Sequence, residues 1–343
     1  MRMVRPSSAL AAVVAVALSN LVAALSAPLD AQVDGLGGTL VVTNKSPATA
    51  TIIDVATGRA VATLPTGQGP HEVALSSDGR TAVVTNYGGS GGGQTLTIID
   101  VSGPRVLRTI DLGSYTRPHG VAFLPGDSLV AVTSESTRHV VIAHIERALR
   151  TVIATGHDGS HMLAVTADGT RIFTGDIGSG TVSELDVPTG RHVRSFDVPA
   201  QPEAINVAPD GTEVWVGSNA TGRVSVLDPE TGAVTTAAEG FGWPYRILFT
   251  PDARTVLVPD LRREELRFIE RASRREIARL DLAGAAPQGI TITPDGRFIF
   301  LSLSRQARVA IIDAASRSIV GYLPAGETPD GVVYSSIVFP RRP

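Results

Sequence analysis

The chain has 343 residues, 43% of them hydrophobic, which is enough to build a large core. Its 30 basic and 33 acidic residues give a net charge of −3, so there is no basic excess to drive binding to nucleic acid or to an anionic membrane. The absence of cysteine excludes disulfides, thiolate nucleophiles and thiolate metal sites.

The first element in chain order is a targeting segment. Arg2 and Arg5 precede the apolar run 9–27, which Ser19-Asn20 interrupts, and small residues up to Ala31 offer cleavage sites. This pattern predicts a cleaved signal peptide over 1–31 and a mature protein in the bacterial periplasm or outside the cell. An uncleaved membrane anchor is the rival interpretation, because the run is near the minimum length for crossing a bilayer. No later segment is apolar for long enough to span a membrane.

After a short linker over 32–38, the chain is predicted to form short strands in groups of four. The first complete group comprises 71–75, 81–86, 96–101 and 106–112, which are rich in β-branched residues and bounded by turn residues. The turn after the first strand recurs, with Asp168, Asp210, Asp252 and Asp295 lying 42, 42 and 43 residues apart. A period of this size predicts an array of equivalent units. Because these aspartates recur in most units, they are interpreted as turn residues and not as catalytic groups.

The two ends of the array complement each other. The last first-type strand, 328–334, has almost no chain after it, whereas 39–44, 51–54 and 60–64 supply a second, third and fourth strand with no first. A composite blade made from both ends would leave no open edge. The sequence therefore predicts an all-β, seven-bladed β-propeller of four-stranded antiparallel blades over 39–338, followed by a tail at 339–343.

Two motifs resemble the YVTN-type β-propeller repeat family. The strand motif occurs as Val41-Val42-Thr43-Asn44 and again over 83–86, with valine at the position of the family's tyrosine. The companion motif occurs from Pro287-Gln288-Gly289 to Pro294-Asp295-Gly296. The resemblance covers 39–338 and implies an exported propeller.

One polar residue begins the first strand of every blade. In chain order these seven positions, called the polar ring below, are His71, His119, His161, Glu203, Tyr245, Gln288 and Asp330. Inner strands of a propeller converge on its axis, so the ring is expected at one mouth of the central channel, where propellers bind ligands. The three histidines with Glu203 have the ligand types of a transition-metal site, with zinc, iron or copper as the candidate ion. The alternative is that the histidines fill the channel mouth, and that Tyr245, Gln288 and Asp330 complete a polar small-molecule pocket.

Two functions follow from these residues. The first is an exported, monomeric binding or scaffold protein, not catalytic, with a small molecule or a protein partner at the channel mouth. The second is a metal-dependent enzyme, of lyase, lactonase or oxidoreductase type, using the three histidines. Nucleic-acid binding is not expected, because the net charge is negative and aromatic residues make up only 5% of the chain.

Overall fold

The computed structural model of the protein describes Val33, residues 35–147 and residues 150–340. The predicted signal peptide and the last three residues of the tail lie outside this part of the chain. Within it, no helix has the length and apolar character needed to cross a membrane.

The described residues form seven four-stranded antiparallel sheets, each one blade. Blades 1 to 6 are contiguous in sequence, and their strands are given from the inner to the outer one. Blade 1 consists of β4 (Pro70–Leu75), β5 (Thr81–Asn86), β6 (Thr95–Asp100) and β7 (Arg105–Asp111). Blade 2 consists of β8 (Pro118–Phe123), β9 (Leu129–Ser134), β10 (His139–His144) and β11 (Arg150–Ala154). Blade 3 consists of β12 (Ser160–Val165), β13 (Arg171–Asp176), β14 (Thr181–Asp186) and β15 (Arg191–Asp197). Blade 4 consists of β16 (Pro202–Val207), β17 (Val214–Ser218), β18 (Arg223–Leu227) and β19 (Val234–Ala238). Blade 5 consists of β20 (Leu248–Phe249), β21 (Thr255–Asp260), β22 (Glu265–Glu270) and β23 (Glu276–Asp281). Blade 6 consists of β24 (Pro287–Ile292), β25 (Phe298–Leu303), β26 (Arg308–Asp313) and β27 (Ser318–Pro324), with a 3₁₀ turn, Ser304–Gln306, before β26.

Blade 7 joins the two ends of the described chain. Its inner strand is β28 (Pro329–Ser335), followed by β1 (Thr39–Asn44), β2 (Thr49–Asp54) and β3 (Arg59–Pro65). Thr39 pairs with Ser335 and Val42 with Val332, so the first and last strands are antiparallel neighbours. The predicted composite blade is confirmed, and the sheet array closes into a seven-bladed propeller.

The core lies between the blades. Every residue of β1 and of β25 is buried, because these second strands are covered on both faces by neighbouring blades. Trp215, Phe173 and Phe300 are the bulkiest fully buried side chains on the described second strands. The repeat therefore builds a core that no single blade could bury alone.

The recurring aspartates are turn residues, as expected. In the turn between β12 and β13, Asp168 Oδ1 accepts hydrogen bonds from the Thr170 N–H (3.0 Å) and the Thr166 hydroxyl (2.6 Å). Gly169 adopts a φ of +72°, which the turn requires and most other residues avoid. Asp252 and Asp295 bind their own turns in the same way.

A β-bulge begins every inner strand except the short β20. In blade 2, Pro118 pairs with Ser134 and Val121 with Val132, so His119 and Gly120 together face the single residue Thr133. The same register shift occurs in β4, β12, β16, β24 and β28. A bulge re-aims the side chain of its extra residue, and here that residue is the polar-ring position.

Outer strands carry a second set of bulges. The large apolar side chains exposed on these strands are each the extra residue of such a bulge, namely Val61, Leu107, Val193 and Val320. A bulge interrupts the regular spacing of backbone donors and acceptors on an edge. The outer rim is therefore a poor template for pairing with another strand, although it exposes apolar side chains.

Candidate functional site

The seven inner strands bring the polar ring together at one end of the channel, here called the upper mouth. The His71 and His119 ring centroids are 5.1 Å apart, and those of His119 and His161 are 3.8 Å apart. His161 Nε2 lies 3.2 Å from Glu203 Oε1. The ring is thus one continuous cluster across blades 1 to 4, as its common register predicts.

The remaining ring positions belong to blades 5, 6 and 7. Tyr245 donates its hydroxyl proton to Asp330 Oδ1 at 3.1 Å, which links blade 5 to blade 7. Gln288 is buried, and its Oε1 has no hydrogen-bond partner among the described residues. Six of the seven ring residues are buried and His71 is partly exposed, so His71 is the ring residue most open to solvent.

Threonines of the second strands position the histidines. Thr43 Oγ1 donates to the backbone carbonyl of His71 (2.8 Å), and Thr133 Oγ1 donates to that of His161 (2.6 Å). Each bond runs from one blade to the inner strand of the next. The threonine of the YVTN-like motif, at position 43, therefore helps to fix a ring residue in the neighbouring blade.

His161 is held between two carboxylates. Its Nδ1 lies 2.6 Å from Glu135 Oε2, and its Nε2 contacts Glu203. Burial lowers the pKa of His161, but Glu203 and Glu135 outweigh burial and raise that pKa to about 9. His161 is therefore an imidazolium at neutral pH, with both N–H groups donating to carboxylates.

His71 and His119 are neutral. Burial, together with the positive charge of His161, holds the pKa of His119 well below its ordinary value, and burial also lowers the pKa of His71. His71 Nδ1 bonds to the carbonyl of Gly69 at 2.8 Å, so this nitrogen carries the ring proton. His119 Nδ1 is buried without a hydrogen-bond partner in the described part of the chain.

An ion pair crosses the channel beneath the ring. The Arg246 guanidinium of blade 5 contacts the Glu72 carboxylate of blade 1, and both side chains are buried. Arg246 Nη1 also donates to the Tyr245 carbonyl (2.6 Å) and lies 3.8 Å from Glu203 Oε1. Lys45 Nζ adds a second pair, 2.8 Å from Asp330 Oδ2. The upper mouth therefore contains paired charges of both signs, and the Arg246–Glu72 pair links blades 1 and 5.

Sequence reasoning missed several members of this cluster. The loops after second strands contribute Lys45, Tyr87, Glu135 and Asn219, each the first residue after its strand. The Tyr87 hydroxyl donates to Glu135 Oε1, and Asn219 Nδ2 donates to Glu203 Oε2, both at 2.9 Å. The signal was present in the repeat, because these residues share a register one position beyond the second strand.

The structure shows how the nitrogen atoms of the predicted metal site are engaged. In the part of the chain that the structure describes, no set of three or more His, Asp or Glu side chains is arranged to hold a metal ion. The ring nitrogens of His161 are both occupied by carboxylates, whereas His71 Nε2 and His119 Nδ1 make no hydrogen bond to a described residue. Zinc, iron or copper binding by His71, His119, His161 and Glu203 thus stays a prediction.

The opposite end of the channel has a different chemistry. A cavity of about 650 Å³ lies there, lined largely by apolar side chains that include Leu75, Phe123 and Leu163. The same lining also contains Ser77, Asp127, Thr166 and Asn206, so it is not wholly apolar.

Comparison with known proteins identifies the fold. No protein-family model and no curated protein matches the chain. Among solved structures, hydrazine synthase from Kuenenia stuttgartiensis has a TM-score of 0.72 and 18% identity, covering 81% of this chain and 93% of that one. A protein of unknown function from Desulfotomaculum acetoxidans also has a TM-score of 0.72, with 17% identity over 87% of this chain and 99% of that one. The dihydro-heme d1 dehydrogenase NirN, in complex with DHE, has a TM-score of 0.62 and 15% identity, covering 87% and 75%. At these identities the likeness concerns architecture, and it agrees with a seven-bladed β-propeller.

Proposed function

We propose that the protein is an exported, non-catalytic binding protein that holds a small polar ligand at the upper mouth. The observation that carries the proposal is the presence, on blades 2, 5 and 6, of buried polar atoms that have no hydrogen-bond partner among the described residues. These atoms are His119 Nδ1, Gln288 Oε1 and Arg246 Nε. Buried donors and acceptors are usually satisfied, so a group of them in one place favours a ligand or bound water.

The charged groups around these atoms support binding by a preformed site. Lys45, Arg246 and the His161 imidazolium each contact a carboxylate. Paired charges hold their own side chains in place, so the unpartnered atoms would meet a ligand with little rearrangement. The ligand best suited to this surface is small and uncharged or zwitterionic, with both donors and acceptors.

Export is part of the proposal. It is supported by the basic and apolar segment at the N-terminus and by the resemblance to YVTN-type propellers. In that setting a rigid, closed disc without disulfides would serve as a periplasmic or extracellular receptor or scaffold.

Binding is tested by thermal unfolding of tag-free mature protein with a panel of amino acids, sugars and small organic acids. At least one compound is expected to raise the melting temperature by about 2 °C or more when present well above its Kd. The Gln288→Leu variant, which removes a buried acceptor but keeps the volume, should lose the shift, and Val193→Ala on the outer rim should retain it. A panel without effect, or a shift that Gln288→Leu and His71→Ala leave unchanged, would contradict the proposal.

A metal-dependent enzyme at the same mouth is the alternative proposal. It is favoured by the two neutral imidazoles of His71 and His119, whose centroids lie 5.1 Å apart. It requires that His161 lose its proton and at least one carboxylate contact before it can bind a metal. Metal analysis of protein purified without a histidine tag separates the two proposals. The alternative predicts one equivalent of zinc, iron or copper that His119→Ala removes, and the binding proposal predicts no metal that depends on His119.

A further inference from the structure

We propose that a second, separate site on the outer rim binds a divalent transition-metal ion through His157 and His192. Both imidazoles are directed at one atom, the hydroxyl oxygen of Ser195. His157 Nε2 lies 2.8 Å from Ser195 Oγ, and His192 Nε2 lies 2.8 Å from the same oxygen. The ring centroids are 6.2 Å apart. None of these three residues belongs to the polar ring.

The backbone of blade 3 creates this juxtaposition. On β15, His192 pairs with Leu185 and Ser195 with Ser183, and the bulge between them adds Val193. In a regular strand, residues three apart point to opposite faces. The added residue places His192 and Ser195 on the same face.

His157 reaches the same point from the loop between β11 and β12. That loop is anchored where Thr155 N–H donates to the carbonyl of Arg138 (3.0 Å), and Thr155 Oγ1 and Ser160 Oγ lie 2.8 Å apart. The side chain therefore projects from a held backbone segment towards β15.

The chemistry of the shared hydroxyl favours a metal. A serine hydroxyl has one proton, so it can donate to one imidazole while accepting from the other. In that arrangement one Nε2 presents a lone pair towards the centre of the cluster. Imidazole nitrogens suit zinc, nickel and copper, and copper(II) forms the strongest complexes of these ions.

The nearby carboxylates are paired with arginines, so the two imidazoles are the ligands available to a metal ion. The carboxylate of Asp158, next in sequence to His157, is paired with Arg138 at 2.5 Å. Glu184, on the adjacent strand, is bound by Arg171 and Arg194. Partial burial and the proximity of His157 lower the pKa of His192. The remaining positions around the ion would be filled by Ser195 Oγ or solvent.

The experiment is a titration of the tag-free mature protein with Cu²⁺ buffered by citrate, which has only oxygen donors, followed by calorimetry and by electron paramagnetic resonance. The expected rim signal shows coordination by two nitrogens. His157→Ala and His192→Ala should each weaken this site by about tenfold or more, since each removes a direct ligand. His144→Ala, a change to a histidine of blade 2, should leave copper binding at the rim unchanged. The double variant His71→Ala/His119→Ala should also retain it, which distinguishes binding at the rim from binding at the upper mouth.

Circular dichroism melts establish that each variant is folded. Ser195→Ala keeps both imidazoles and is expected to keep the site. Copper binding that is unaffected by both rim substitutions, loss with only one of them, or a rim signal from a single nitrogen would each overturn the proposal.

Discussion

Replacing Arg246 by methionine is expected to lower the free energy of unfolding by about 3–5 kcal/mol, because it leaves a buried carboxylate without its partner. Burial raises the pKa of Glu72, and Arg246 is the main group that opposes this rise. The same guanidinium contacts the Tyr245 carbonyl and lies near Glu203. Removing it therefore disturbs blades 1, 4 and 5 together. Urea unfolding of the wild type and the variant measures the difference.

Two further variants make this result interpretable. Glu72→Met in the Arg246→Met background removes the stranded charge and is expected to recover most of the loss, as apolar replacements of buried ion pairs often do. Arg223→Met breaks an exposed pair with Glu239 and should cost less than about 1 kcal/mol. Equal losses of unfolding free energy for Arg246→Met and Arg223→Met would show that the Arg246–Glu72 pair does not stabilise the fold more than an exposed pair does.

Stability is expected to fall by about 3 kcal/mol as the pH rises from 6.5 to above 9, through the loss of the His161 proton. The pKa of His161 in the folded state is about 9, because Glu203 and Glu135 outweigh the effect of burial. This value lies above the ordinary histidine pKa of 6.5, so the folded state binds the proton more tightly than the unfolded state. The stabilisation by protonated His161 is therefore complete below pH 6.5 and is lost as the pH rises through the pKa of the folded state.

The opposite slope is expected on the acid side. Burial lowers the pKa values of His71 and His119 in the folded protein. The unfolded state then binds more protons below pH 6.5, and stability rises with pH in that range. Both slopes together place the maximum near pH 6.5. Urea unfolding across pH 5 to 9.5 tests this shape.

Two variants test whether His161 causes the loss of stability at alkaline pH. His161→Gln should abolish the loss of stability between pH 7.5 and 9.5, whereas His139→Gln, at a histidine of β10 distant from the ring, should retain it. A wild-type free energy of unfolding that stays constant from pH 6.5 to 9.5 would mean that Glu135 and Glu203 do not stabilise His161 as an imidazolium.

The fold could be predicted from the sequence because it depends on local signals that recur. The turn aspartates, the β-branched strands and the unmatched strands at 39–64 and 328–334 each follow from short-range chemistry. Repetition makes these weak local signals reinforce one another. The closure of β28 on β1 is then the arrangement that leaves no open edge.

The site could be predicted only in part. The polar ring was found because its members share one register, and inner strands converge by geometry. The partners Glu72 and Arg246 were missed because strand alternation alone sends the residue after a ring position away from the mouth. The inner-strand bulge and the irregular backbone before β20 bring Glu72 and Arg246 into the channel instead. The ionisation of His161 likewise depends on Glu135, which comes from a loop in another blade.

The most direct test of the charge-paired mouth is the ionisation of its three histidines. Selective ¹⁵N labelling of histidine and two-bond ¹H–¹⁵N correlation at pH 7.5 report the protonation of each ring nitrogen, with His161→Gln and His119→Ala providing the assignments. We expect both nitrogens of His161 at imidazolium positions and neutral rings for His71 and His119. A neutral His161, or ring nitrogens of all three histidines shifted by a bound metal, would contradict the binding proposal and favour the metal-dependent alternative.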